Sequence, residues 1–380
     1  MRIGRGRHLT YCSNIHAGES WAEVDRNLRL YLPQVREKLH HTGSFGVGLR
    51  LSAEAAVTLE TPAVLAQFKS FLHEQSFYVF TINGFPYGTF HGQRVKEDVY
   101  LPDWKDPLRL EYTNRLARLL AELLPEGIQG SVSTAPGAFK ANVRSAADVQ
   151  RISSNLREHA RFLGDLKART GKTITLAIEP EPCCHIETVA EAIRFFDDEL
   201  GDPAVREHIG LCFDACHMAV EFEDPADALV RLKAAGIPIY KFQISSALRL
   251  RFREAAAARE ALEPFAESTY LHQVVENDGS SLRRYVDLPE AFRSTTNDGD
   301  REWRVHFHVP LFMKETAEGL STTQNYLIDL FRILREKPDC PYLEVETYTW
   351  DVLPPAFRNV DIATAVAREL EWVVKQLSDE

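Results

Sequence analysis

Short apolar runs rich in β-branched and aromatic residues recur along the chain: LTYCSNIH (9–16), SFGVGLRLS (44–52), FYVFTING (77–84), IQGSVST (128–134), TITLAIEPEP (173–182), IGLCFDACHM (209–218), IPIYKFQIS (237–245) and YLEVETYTW (342–350). Most are followed by a stretch whose apolar residues return every three or four positions, as in TPAVLAQFKSFLHEQ, LEYTNRLARLLAELL and IATAVARELEWVVKQL. Alternating strands and helices imply βαβ units on a parallel sheet. Eight such units predict an α/β fold of the (β/α)8 TIM-barrel type. An open sheet of nine or ten strands is the competing topology.

The polar residues that end these runs follow one another at strand-plus-loop-plus-helix spacing up to Gln243. The next, Glu346, comes too late by roughly two βα units. The intervening segment holds RLRFREAAAAREALEPF, which has helical composition, a polar VVENDGSSLRRYVDLP, and a strand-like WRVHFHVPLF at 303–312. Residues 248–318 are therefore expected to be an insertion on the seventh βα loop that covers the barrel mouth. No Pro/Gly/Ser linker divides the chain, so residues 1–380 read as one domain.

Charge narrows the function. Lys and Arg number 44 against 55 Asp and Glu, for a net charge of −11. Nucleic-acid binding is not expected, because its affinity rests mainly on Lys and Arg neutralising phosphates. No apolar run approaches the roughly 18–20 residues that cross a bilayer. The first residues lack the apolar stretch of a secretory signal. Six cysteines without a CxxC spacing suit a reducing, cytoplasmic setting better than a disulfide framework.

Strands buried on both faces should read as continuous hydrophobics. Carboxylates at their C-terminal ends, where barrel active sites lie, need a reason. Glu179 and Glu181 follow TITLAI, Asp214 follows IGLCF, and Glu344 and Glu346 end the last run. Converging carboxylates raise one another's pKa, and a divalent cation removes that repulsion. An oxygen-rich set joined by His217, and by His306 or His308 of the insertion, suits Mn, Mg, Co or Zn. Taken singly, each residue has a plainer role as a cap, a loop charge or a packed polar group, with Glu181 and Glu344 read as structural. The joint pattern of Glu179, Asp214, His217 and Glu346 carries the metal reading.

AIEPEP, FDACHMAVEFED and LEVETYTW together resemble the xylose isomerase-like TIM-barrel superfamily, which includes sugar isomerases and epimerases and the endonuclease IV group. The resemblance implies metal ligands at Glu179, Asp214 and Glu346, with His217 on the substrate side. Where the ketose 3-epimerase pattern has a metal histidine on the seventh strand, this chain has Gln243, so either its amide oxygen or His308 (or His306) completes the site. LTYCSNIHAGESW, FGVGLRLS, NGFPYGTFHGQRVKEDVYLPDW and VSTAPGAFK resemble a narrower branch, the EboE-type metabolite traffic proteins. That likeness implies a role in producing or exporting a secondary metabolite, beside partner proteins of that pathway.

Three functions follow as expectations. The leading one is a metal-dependent isomerase or epimerase acting on a small sugar-like or polyhydroxy substrate. In it, Glu179 and Glu346 move the proton from opposite faces and His217 orients a hydroxyl. The rivals are a metal-dependent phosphoester hydrolase and a non-catalytic metabolite-binding barrel. His16, Arg50, Asn83, His91, Lys96 and His306 are the expected substrate contacts, with Arg50, Lys96 and Lys140 suited to an anionic group.

Overall fold

The computed structural model describes residues 1–92, 94–252, 260–294, 300–315, 320–336 and 340–378. Each of the eight apolar runs overlaps one barrel strand: Arg7–Tyr11, which begins two residues before its run, Phe45–Arg50, Phe77–Asn83, Gly130–Thr134, Ile174–Ile178, Ile209–Asp214, Ile239–Ile244 and Tyr342–Val345. Neighbours pair in parallel from the second strand round to the eighth, and the eighth also pairs in parallel with the first. The remaining seam, between the first and second strands, is bridged at Cys12 and Gly48. This is a closed α/β barrel and not the open sheet.

Helices cover the outside, so the strands are buried on both faces. They include Trp21–Lys38, Pro107–Leu123, Ala146–Thr170, Val189–Glu199 and Ile362–Leu377. Their starts are set locally. Ser20 with Glu23, and Thr188 with Glu191, form reciprocal capping boxes that satisfy backbone donors at the first turn.

The barrel interior is not purely apolar. Lys241 of the seventh strand and Glu344 of the eighth are fully buried and paired at 2.5 Å. A Cβ added to Gly48 would lie 1.8 Å from Glu344 Oε1, so glycine is required where that carboxylate crosses the interior. Neither member was expected to matter beyond structure. A lysine inside an apolar strand was the available signal, since such a charge is buried only with a partner.

Between the seventh and eighth strands the chain builds a second, five-stranded antiparallel sheet from Leu248–Arg251, Val274–Asn277, Leu282–Tyr285, Glu302–Val305 and Ser321–Thr322. Two local expectations are corrected. The segment read as a polar loop is a hairpin, in which Asp278 caps the turn by accepting from the Ser280 and Ser281 backbone. The segment read as helical begins with a strand at Leu248–Arg251, and residues 253–259 lie outside the described ones. His306 and His308 follow the Glu302–Val305 strand in irregular backbone instead of alternating along it.

Candidate metal centre

Glu179, Asp214 and Glu346 come from the ends of the fifth, sixth and eighth strands. One carboxylate oxygen of each lies within 4.8 Å of the others. All three are buried. Asp214 Oδ1 accepts from the His217 backbone N–H and from Ser245 Oγ, both at 2.8 Å, while its Oδ2 has no hydrogen-bond partner. Glu346 Oε1 accepts from the amides of Asn14 at 2.7 Å and Asn83 at 2.9 Å. Among the described residues no lysine or arginine forms an ion pair with any of the three, because Lys241, one layer deeper, is spent on Glu344.

The electrostatics follow from that arrangement. Burial, then the Asp214 and Glu344 charges, push the Glu346 carboxyl up to about 8. Burial, then Glu346 and Asp214, raise Glu179 well above the usual carboxylate range. Burial raises Asp214 as well, against the donors that serve it. Three carboxylates that suppress one another's ionisation form a cage for a cation.

Nitrogen donors stand beside the cage. His308 donates from Nδ1 to the Glu346 backbone carbonyl at 2.9 Å, so its Nε2 is bare, and that nitrogen is buried without a partner. Asp214, His217 and His308 form a second group with ligand atoms within 4.8 Å of one another. A histidine whose far nitrogen is anchored on a carbonyl is the usual outer-shell arrangement of a metal ligand. Gln243 is fully buried and its amide atoms make no hydrogen bond of ordinary geometry, although the amide lowers the Glu346 carboxyl. The insertion thus places an imidazole beside Asp214. Orphaned Asp214 Oδ2 and His308 Nε2, beside carboxylate oxygens of Glu179 and Glu346, are donors that a divalent ion would take, so the residues fit a metal.

His306 also reaches the mouth. Its Nε2 stands 3.1 Å from His217 Nε2, and its Nδ1 meets Gln273 Oε1 at 2.8 Å. His217 lines the cavity, and its Nδ1 donates to the Pro180 carbonyl at 2.9 Å, which leaves Nε2 facing His306. Glu181, read as structural, accepts from Tyr100 Oη at 2.6 Å and groups with His217 and His306. Of the cysteines, all free, Cys216 alone joins such a group, with His306 and His308.

The other expected substrate contacts divide. Asn83, His306 and Lys96 line the cavity over the cage, together with Asn14, Phe85, Phe90, Tyr100, Tyr270 and Tyr348. Lys96 is already bound to Asp287 at 2.7 Å and to the Tyr270 carbonyl at 2.6 Å. His16 turns away, because the chain folds into a tight turn at Ser13–Ile15 and stacks its ring on Tyr31 at 4.1 Å. Arg50 is held by Glu19 at 2.7 Å and by the carbonyls of Gly18 and Gly88. His91 donates from Nε2 to the Asn14 carbonyl at 2.8 Å and so positions Asn14 from behind. Lys140 is paired with Glu187 and Glu191. The expected anion-binding trio is therefore consumed internally. Asn14 was missed as a contact, though it carries the same signal as Asn83, a polar residue closing an apolar strand.

The free space inside this cavity is about 50 Å³. That is room for an ion and a few waters. A larger cleft, about 520 Å³, lies at the N-terminal ends of the strands beside Ile237 and Tyr342 and is lined mainly by apolar residues, away from the carboxylate cage.

No family model matches the chain, and no curated protein does. Solved structures match over nearly its whole length. A xylose isomerase-like TIM barrel protein from Mycobacterium smegmatis in complex with magnesium is 13% identical, covering 99% of this chain and 98% of that one, with a TM-score of 0.55. A D-tagatose 3-epimerase-like protein is 12% identical over 97% and 98%, with a TM-score of 0.52. An IOLI protein with a binding zinc atom is 11% identical over 97% and 98%, with a TM-score of 0.51. The fold is that of the xylose isomerase-like TIM barrels. At these identities the likeness establishes architecture, and function has to be argued from the site.

Proposed function

We propose that the chain is a metal-dependent isomerase or epimerase acting on a sugar-like or polyhydroxy metabolite, in the production or traffic of a secondary metabolite and in the cytoplasm, where six unpaired cysteines stay reduced. The observation that carries the reading is the cage of Glu179, Asp214 and Glu346, buried with no lysine or arginine ion pair among the described residues and flanked by the bare Nε2 of His308. A divalent cation held there supplies a Lewis acid that polarises a carbonyl and a neighbouring hydroxyl.

The chain's own residues do the rest. Glu179 and Glu346 sit on strands separated around the barrel, so one takes a proton from the carbon beside the carbonyl and the other returns it from the opposite face. Asn14 and Asn83 fix the Glu346 carboxylate by donating to one oxygen, which leaves its other oxygen for the proton. Asn14 Oδ1, buried and unpartnered, is the acceptor for a substrate hydroxyl. Phe85, Phe90, Tyr270 and Tyr348 exclude water from the cavity.

Metal-assisted hydrolysis is the second reading, favoured by the cluster of His217, His306 and His308. It is weakened because the one lysine in the cavity wall, Lys96, is already neutralised by Asp287.

The test is deuterium uptake from D2O into a panel of unphosphorylated and phosphorylated ketoses, followed by NMR. Exchange by the parent protein should fall by about 10²–10⁴-fold in Glu179→Gln and in Glu346→Gln, with the far-UV spectrum unchanged. Parent rates in both variants would end the acid–base assignment.

A further inference from the structure

Arg50, Lys96 and Lys140 are spent on internal ion pairs, but the opposite end of the barrel holds a cation that is not. Arg2–Ile3 is a short strand antiparallel to the first barrel strand, with Arg2 directly opposite His8. Residues so opposed share a face and stand close together, and two basic groups there disfavour each other. His8 and Tyr78 are the second residues of the first and third strands, so they lie at the N-terminal end of the barrel. Arg2, His8 and Tyr78 line a cleft of about 410 Å³, with His41, Ser44, Pro125 and Ile128. No carboxylate lines it, and among the described residues Arg2 forms no ion pair.

Hydrogen accounting adds a second donor. His8 is 5% exposed, and its ring is held by stacking on Tyr342 at 5.4 Å and by the edge of Tyr78 at 5.6 Å. Its Nδ1 lies 3.0 Å from the Tyr78 hydroxyl, the one side-chain hydrogen bond that either residue makes among the described residues. Burial, then the Arg2 charge, lowers the His8 pKa to about 4, so the ring is neutral at pH 7. A neutral imidazole and a phenol bring two hydrogens, and the bond between them uses one. The other, on His8 Nε2 or on the phenol oxygen, has no protein acceptor. His41 Nε2 donates to the Ser44 carbonyl at 3.2 Å and closes the turn beside them. A guanidinium and an unused donor thus share one cleft that offers them no negative charge.

We propose that this cleft binds a phosphate monoester, with the phosphoryl group on Arg2 and the His8–Tyr78 pair and the organic body against Pro125 and Ile128. A phosphoryl group presents three oxygens, so it accepts from the guanidinium fork and from the His8–Tyr78 donor together. A carboxylate has two oxygens, and the fork alone takes both. Inorganic phosphate would leave most of the 410 Å³ unfilled and the apolar wall without a partner. The anion-binding function expected of the mouth is thus placed at the other end of the barrel. The proposal does not depend on the isomerase reading, because none of these residues lines the cavity over the cage.

The experiment is calorimetric titration of the chelator-stripped full chain with phenyl phosphate, inorganic phosphate and benzoate. The parent should bind one phenyl phosphate per chain, more tightly than either of the others. Arg2→Gln, at an exposed position that the fold does not need, should weaken it by about 10–100-fold, the size of a lost charge-assisted hydrogen bond. His8→Phe, which keeps the ring stack, should weaken it as well, and Glu346→Gln should bind like the parent. In NMR spectra the ring signals of His8 should move on addition of phenyl phosphate while those of His306 stay. No binding of phenyl phosphate to the parent at millimolar concentration would overturn the proposal. So would binding that survives Arg2→Gln and is lost in Glu346→Gln, which would put the anion at the mouth. Benzoate bound as tightly as phenyl phosphate would overturn the phosphoryl assignment, and inorganic phosphate bound as tightly would overturn the organic body.

Discussion

Glu344 and Glu346 stand two residues apart at the end of the eighth strand, both buried, and the protein treats them in opposite ways. Glu344 meets Lys241 at 2.5 Å in a fully buried pair. Glu346 meets neutral amides, those of Asn14 and Asn83 at hydrogen-bond distance, with two further carboxylates close by. One layer of the barrel is therefore an internally compensated ion pair, and in the next three carboxyls hold back one another's ionisation. A buried carboxylate is expensive unless paired, so the fold can sustain the second layer only where something from outside supplies the missing charge. The difference separates a charge that holds the barrel together from charges that wait for a ligand.

Breaking the neutral layer should have the largest effect. Lys241→Met leaves Glu344 unpaired and should cost about 3–5 kcal/mol in chemical denaturation, much of it recovered by adding Glu344→Gln. A loss below about 1 kcal/mol would mean that the two layers are alike. In the open layer the expectation reverses. Metal at a hundredfold excess over its Kd should stabilise the parent by about 2.7 kcal/mol. Glu346→Gln should abolish that gain in a thermal-shift titration while leaving the metal-free protein no less stable, because no cationic side chain among the described residues pairs with that carboxyl.

Gly48→Ala probes the packing of the neutral layer, since its Cβ would meet Glu344 Oε1 at 1.8 Å and the Tyr11 carbonyl oxygen at 2.7 Å. Overpacking of this kind should cost about 1–3 kcal/mol, and an unchanged Tm would contradict the steric account. The smallest effect belongs to a third kind of carboxylate, paired at the rim. Burial tends to raise Glu302, but Arg249, Arg304 and Arg251 bring its carboxyl down to about 2, below the ordinary 4.5. A depressed carboxyl contributes stability above its unfolded value and loses it as pH falls. The insertion sheet should therefore weaken between about pH 4.5 and 2, read by fluorescence of the adjacent buried Trp303, and Glu302→Gln should flatten that profile.

The barrel was legible because parallel strands covered on both sides must be apolar throughout, and all eight runs satisfy that demand. The carboxylates of the cage were legible for the same reason, as exceptions at the ends of such runs. The insertion sheet was not. Leu282–Tyr285 is largely exposed and carries Arg283 and Arg284, so no alternation marks it as a strand. The pair of histidines at 306 and 308 could be seen in the sequence, but their reach into the mouth depends on how far the inserted sheet folds back, which spacing does not encode. Lys241 was overlooked because a single cation in IYKFQI resembles a strand edge. Its full burial makes sense only beside Glu344.

The hydrogen bond from Asn14 to Glu346 spans 332 residues. A chain made from its N-terminus carries Glu179 and Asp214 into place long before Glu346 exists to join them. The eighth strand, Tyr342–Val345, is also the one that closes the barrel against the first. Completion of the cage and closure of the barrel are thus one event, late in synthesis and slow to reach by search, because contacts so far apart in sequence are costly to form. A chain that ends before the eighth strand lacks both the strand that pairs with the first and the carboxyl that Asn14 and Asn83 hold.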